Sequence, residues 1–314
     1  MRFALLAGAH TDDFVVIGGL NPEYLAPDAP VPHQGTTDVD LLFALGFDEH
    51  SFATDFAWLD DALTTGGFTS PNMWRWDAML GDAQVRLEFL CDVWDHTADT
   101  VPLPGSRLAV ASKLAGPAAA LFAPVQRELS VPSAARAHFP EAPKMVSLRF
   151  ANLGSYLLAK AAAVLSRVLR KDKYDLMYVT LYNAHGGAAG AARVVAAQLE
   201  IAGDAAGPDD IREAMTRYLD LNGSWAGVFA EVMRDTGDTG TDAELRADAA
   251  VGARRFLETM DAARAGVGAK CDGARLVARR RQRLPRREGR VAVHATMNAT
   301  LRSDSRAGAH YRES

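Results

Sequence analysis

At about Asn152 the chain changes texture, and that change limits the architectures open to it. Upstream, short apolar runs alternate with turn residues. DFVVI (13–17) ends in Gly18-Gly19, and DVDLLFAL (38–45) is a second run of the same kind. Both read as strands bounded by turns. WRWDAM (74–79) and QVRLEFLCDV (84–93) read as a strand pair joined across Gly81-Asp82. One helix is expected among them, FATDFAWLDDALT (52–64), with Ser51 as N-cap and Gly66-Gly67 as its stop. Downstream, NLGSYLLAKAAAVLSRVL (152–169) and KDKYDLMYVTLYN (171–183) have helical spacing. So do AAGAARVVAAQLEIA, DDIREAMTRYL behind Pro208, WAGVFAEVM and DAELRADAAVGARRFLETMDAAR. The expectation is an α+β chain: a small mixed-sheet unit over 1–150, an α-helical unit over 151–268, and a basic tail over 269–314, expected to be disordered. The Pro- and Ala-rich stretch 104–143 yields no assignment.

Charge is divided as unevenly as structure. The formal net charge is -5, yet from Cys271 onward there are 11 arginines, no lysine and 4 acidic residues. A basic tail on an acidic body invites a nucleic-acid reading; the plain alternative is a solvated extension. Two cysteines, Cys91 and Cys271, give neither a disulfide framework nor zinc spacing, which fits a reducing cytoplasm. MRFALLAGAHTDD is a poor secretory signal, with a short apolar stretch, Arg2 alone before it and Asp12-Asp13 behind. Lys160 and Arg167 interrupt the best apolar run, so no membrane span is expected and a cytoplasmic location is.

The chemistry gathers upstream, in HQGTTDVDLLF (33–43). In a strand, Asp38 and Asp40 share a face, where two carboxylates repel each other unless a cation lies between them. Glu88 in RLEFL is flanked by Leu87 and Phe89, which would face the opposite side. Three carboxylates from adjacent strands supply hard oxygen ligands for Mg²⁺. Gly18-Gly19, ending a strand, allows close approach of a phosphate. Each piece alone has a plainer explanation: a turn, a solvated strand end, the outer face of an amphipathic strand. Their order along the chain makes the combination informative.

The glycine pair followed by TDVDLL and a strand acid resembles the polymerase-β-type nucleotidyltransferase superfamily. LLAKAAAVLSRVLRKDKYDL (157–176) is further similar to the Lys, Arg, Lys-Asp-x-x-Asp signature of the AbiE-type (AbiEii-like) toxin nucleotidyltransferases. The resemblance covers about residues 13 to 180. It implies that Asp38, Asp40 and Glu88 bind Mg²⁺, and that Gly18, Gly19 and Thr37 contact an NTP together with Lys160, Arg167 and Lys171. Asp172 and Asp175 would be catalytic or orienting acids. It further implies transfer of NMP to an acceptor hydroxyl, on RNA or a tRNA end, by the toxin of a toxin–antitoxin or phage-defence pair whose partner is an antitoxin protein. Two other readings stay open: nucleotidylation of a small, antibiotic-like acceptor, and a nucleotide-binding module that has lost the reaction. Leu20 stands where many superfamily members carry Ser or Thr, and the third carboxylate is Glu rather than Asp. Asp92 is a fallback ligand if the strand continues past Glu88. Lys160 and Arg167, seven apart, would share a helix face, as would Asp172 and Asp175. Without the resemblance, Lys171, Asp172 and Asp175 would read as a solvated surface network.

Overall fold

Alternation along the central strands sorts apolar side chains into two sets, and each set is covered by different helices. The computed structural model describes residues 1–45, 54–93, 97–167, 169–205 and 207–281, with side chains described except at 80, 204 and 266–281. Among these, one mixed sheet is built from β1 (Phe14–Ile17), β2 (Asp38–Phe43), β3 (Arg75–Leu80), β4 (Ala83–Cys91), β5 (Thr100–Pro102), β6 (Val110–Lys113), β7 (Val125–Ser130) and β8 (Met145–Phe150). The order is β5-β6-β4-β2-β1-β8-β7, with β3 paired to β4 off that path. Strands adjacent in the chain pair antiparallel in β1/β2, β3/β4, β5/β6 and β7/β8. The β2/β4, β4/β6 and β1/β8 pairs are parallel.

The helices are α1 (Arg2–Ala7), α2 (Asn21–Leu25), α3 (Trp58–Thr65), α4 (Ser133–His138), α5 (Leu153–Ser166), α6 (Arg170–Tyr182), α7 (Gly187–Ala202), α8 (Pro208–Arg217), α9 (Ser224–Asp235) and α10 (Asp242–Arg281). Phe14, Val16, Leu41, Phe43 and Phe89 point to one face and bury Phe3 of α1 and Leu59 and Leu63 of α3. Val15, Ile17, Leu42 and Leu90 point to the other and join a second core with Leu157, Ala161, Leu176 and Val195 from α5, α6 and α7. Side chains of this size stabilise by roughly 1.5–3 kcal/mol each when fully buried, so both faces bind their helices firmly. Residues Met1–Gly268 accordingly form one compact unit. The border expected at 150/151 falls between the end of β8 and the start of α5. A second unit spans Ala269–Ser314, of which the helical backbone to Arg281 is described; the arginines beyond it lie outside the described residues. No described helix is long and apolar enough to cross a membrane.

The class is thus α+β with a mixed sheet, and most expected elements are present at nearly the expected places. The helix expected over 52–64 is α3, which begins only at Trp58. Asp55 accepts a hydrogen bond from the Ala57 N–H (2.9 Å), a local turn that competes with helix at 54–57. The proposed N-cap Ser51 lies outside the described residues. Gly66-Gly67 does end the helix: Phe68 N–H reaches the Leu63 carbonyl and Gly67 N–H that of Thr64. The unassigned stretch 104–143 contains β6, a short 3-10 turn (Pro117–Leu121), β7 and α4. Its strands are short, and most of β7 is exposed, so neither carries a strong period.

Candidate functional site

The face that covers α5 turns polar toward one end of β2 and β4. There Leu42 and Leu90 give way, two residues back in each strand, to Asp40 and Glu88. These are direct register partners on adjacent parallel strands. Ile17 is opposite Asp40 on the β1 side, and the chain leaves β1 at Gly18. A cavity of about 200 Å³ opens here between sheet and helix. Its charged lining comes from Asp40, Glu88, Arg75, Lys113, Lys160 and Arg167, and its apolar wall includes Leu90, Pro117 and Ala159.

Gly18 fits the floor of this cavity for two reasons. Its φ is +70°, and a Cβ there would lie 1.7 Å from Asp40 Oδ2. Gly18→Ala is therefore expected to combine backbone strain of about 1–3 kcal/mol with displacement of the Asp40 carboxyl. A fall in urea midpoint checks the first and weakened ligand binding checks the second. Gly19 has a different neighbour: its missing Cβ makes room for the Thr36 side chain, and Gly19 is not part of the cavity lining. Leu20 packs into the core on the opposite sheet face.

Among the described residues the Asp40 carboxyl makes no hydrogen bond and no ion pair closer than 4 Å. Burial and the neighbouring Glu88 charge push its pKa up to about 6, against the pull of Lys160 and Arg167. The other two carboxylates have arginine partners. Glu88 Oε1 accepts from Arg75 Nε at 2.8 Å, and Asp38 Oδ1 lies 3.7 Å from Arg86 Nη1. Arg86 also donates to Asp77 across β3 and β4. Asp40 and Glu88 therefore meet in the cavity, whereas Asp38 and the exposed Thr37 lie outside its lining. Among the described residues no three His, Cys, Asp or Glu side chains are grouped closely enough to hold a metal ion.

Behind the cavity wall lies a buried ion cluster. Lys160 Nζ donates to Asp172 Oδ1 (2.9 Å) and Asp175 Oδ2 (2.8 Å). Lys171 Nζ reaches both oxygens of Asp175 at 3.0–3.1 Å. Arg167 Nε and Nη2 reach Asp172. Helix α5 ends at Ser166, and α6 packs back so that Asp172 and Asp175 face α5. Arg167 is consequently extended backbone beyond α5, not a residue on the helix face of Lys160 as the spacing suggested. The solvated-network expectation fails for the two acids, which are 2% and 0% exposed. Burial pushes the Asp175 carboxyl up, yet Lys160, His33 and Lys171 hold it well below the usual carboxylate range. Burial likewise lowers Lys160, but the two aspartates hold it up to about 12.

No family model, curated protein or solved structure matches the chain.

Three residues of the site are not among those expected from the sequence. His33 begins the quoted HQGTTDVDLLF, yet its partner is Asp175, 142 residues away, at 2.8 Å. Its Nδ1 accepts from the Gly35 N–H, so the proton sits on Nε2 and is donated to Asp175. Arg75, the first residue of β3, and Trp74 just before it lie in a run of ordinary strand composition and carry no motif. Asp92, the fallback ligand, is a correction in the other direction. β4 ends at Cys91, and Asp92 accepts the Gly116 and Ala118 N–H groups (3.0 and 2.9 Å), fastening the turn at Pro117–Leu121.

Proposed function

We propose that this protein is a Mg²⁺-dependent nucleotidyltransferase that moves NMP from an NTP to an acceptor hydroxyl, releasing pyrophosphate. The observation that carries the reading is Asp40: a partly buried carboxylate without a hydrogen bond, beside a second carboxylate, on the floor of a cavity with cations on its other walls. Such a group is costly to keep unless a cation or a proton completes it. Carboxylate oxygens suit Mg²⁺. Asp40 and Glu88 would hold the ion, and Asp38, one step along the same face of β2, is the third candidate ligand. When bound, magnesium would neutralise charge on the phosphate oxygens and on the departing pyrophosphate. The chain's own contribution is positioning: Gly18 permits close approach to Asp40, and Arg75 and Arg167 add positive charge at the cavity wall. Lys160, Lys171, Asp172 and Asp175 act at one remove. They fix α5 against α6, and His33 fastens the segment leading into β2 to the same cluster.

The resemblance of TDVDLL and LLAK…KDKYDL to the AbiE-type toxins favours RNA, particularly a tRNA end, as acceptor, with an antitoxin protein as partner. Incubation with each labelled NTP, Mg²⁺ and total RNA tests this. Label is expected on RNA and is expected to disappear with EDTA. Label confined to a small acceptor would move the assignment to antibiotic-type chemistry, and NTP binding without transfer would leave a nucleotide-binding module. If the Arg-rich segment contributes phosphate contacts, truncation after Lys270 reduces RNA affinity and flattens its salt dependence.

A further inference from the structure

The cations of the cavity are not equally available to a ligand. Lys160 spends its ammonium on Asp172 and Asp175 inside the protein. Arg167 commits Nε and Nη2 to Asp172, and Lys113, the fourth cation of the lining, is not free either. Arg75 differs. Its Nε donates to Glu88 at 2.8 Å, and its guanidinium carbon lies 4.6 Å from the centre of the Trp74 ring. Both Nη groups have no hydrogen-bond partner among the described residues, although Arg75 and Trp74 both line the cavity. A guanidinium held over an aromatic ring and anchored by one nitrogen is pre-organised, so little side-chain freedom is lost when its remaining N–H groups bind. Its planar fork matches two oxygens of a phosphate.

We infer that Arg75 is the phosphate-recognition residue of the cavity, and that it binds the polyphosphate of the incoming nucleotide through its Nη groups. This rests on the nucleotidyltransferase reading. Glu88 then has two roles that compete: it orients Arg75 in the unliganded protein, and it is a candidate metal ligand. Withdrawal of Glu88 toward a cation loosens the Arg75 Nε bond and makes the full positive charge available to the polyphosphate. Cation and polyphosphate would therefore bind with positive coupling through one ion pair.

The test uses the full chain and inorganic tripolyphosphate, titrated calorimetrically in EDTA. Arg75→Gln is expected to weaken binding about 10- to 100-fold, the range for losing a charge-assisted hydrogen bond. Arg75→Lys, which keeps the charge and loses the fork, recovers only part of that. Arg212→Gln, at a surface arginine paired with Asp261 and outside the cavity, changes affinity by less than about threefold. Glu88→Gln, which removes the competing carboxylate, tightens metal-free binding severalfold, and that gain vanishes in the Arg75→Gln/Glu88→Gln double variant. Wild-type affinity in Arg75→Gln overturns the inference, as does absence of tripolyphosphate binding by the wild type. Arg75-dependent tripolyphosphate binding by a protein that transfers no nucleotide would retain this site and remove the transferase reading, so the two failures are distinguishable.

Discussion

Asp40→Asn is expected to abolish nucleotide transfer and at the same time to make the folded protein more stable. Loss of turnover by about a thousandfold or more is the scale for deleting a group that stabilises charge in a transition state. The gain in stability follows from the sign of the pKa change. The Asp40 pKa is raised to about 6 in the folded chain, by burial first and Glu88 second, against about 3.9 when unfolded. The unfolded state therefore loses the Asp40 proton at lower pH than the folded state does, and between about pH 4 and pH 6 stability declines as pH rises. Above about pH 6 the penalty is complete and constant. Asn cannot ionise, so the substitution removes the penalty at pH 7–8 and changes little at pH 4. An increase in melting temperature of about 2–4 °C at pH 8 corresponds to roughly 1 kcal/mol for a domain of this size. Two further measurements check the reading. Metal affinity of the wild type should fall as pH drops below about 6, because protons then compete for Asp40. Asp40→Asn should lose that pH dependence along with the affinity. Wild-type turnover by Asp40→Asn would sink the assignment, and a lower melting temperature at pH 8 would make Asp40 a structural residue.

How far the sequence leads to this site depends on the range of the interactions involved. Periodicity placed Asp38 and Asp40 on one face of a strand, and it placed Glu88 opposite Leu87 and Phe89; the structure has both arrangements. Alternation is a property of one strand, so it is written locally. The pairing of Asp40 with Glu88 is not, because it needs β4 to lie parallel to β2 in one register, and that register is set by packing on both sheet faces. The same limit explains His33, whose partner is 142 residues away. Arg75 was invisible for a different reason: an arginine on a strand is ordinary until its neighbours in space are known. Asp92 and the Lys160–Arg167 pair misled because both arguments extended a regular element too far, β4 past Cys91 and α5 past Ser166. Asp172 and Asp175 carry the opposite lesson. Charged residues three apart on a helix ordinarily mark a solvated face, and here their helix is buried because Lys160 waits on α5 to meet them.

Lys160→Met should reveal that cluster as a structural element, with a large loss of stability. The resemblance carried by LLAKAAAVLSRVLRKDKYDL implies an NTP-contacting lysine, whose removal would weaken NTP use more than folding. The geometry reverses that order. Lys160 is 7% exposed, and its ammonium joins Asp172 and Asp175 between α5 and α6. Removing it leaves Asp172 to Arg167 and Asp175 to Lys171 and His33, so the cost is expected near the lower end of the ~3–5 kcal/mol typical of breaking a buried ion pair. That is a large part of the ~5–15 kcal/mol that stabilises an ordinary domain, so the urea midpoint should fall by about a third or more. The penalty should be almost independent of pH across the neutral range. Asp175, held below its ordinary pKa, contributes stability above about pH 4 that is lost only as pH falls well under that value. Lys160, held up to about 12, contributes stability below about pH 10 that is lost as pH rises through 12. Between roughly pH 5 and 10 neither group changes charge in either state. Adding Asp175→Asn to Lys160→Met should restore part of the loss, since it removes a buried charge that only Lys171 and His33 are left to balance, while Asp172 keeps Arg167. If the two substitutions are instead additive, Lys160 and Asp175 are not coupled and the cluster does not hold α5 to α6. If Lys160→Met keeps its stability and raises KM for NTP, the lysine reaches the ligand after all, and the ion cluster is the resting state of a catalytic cation.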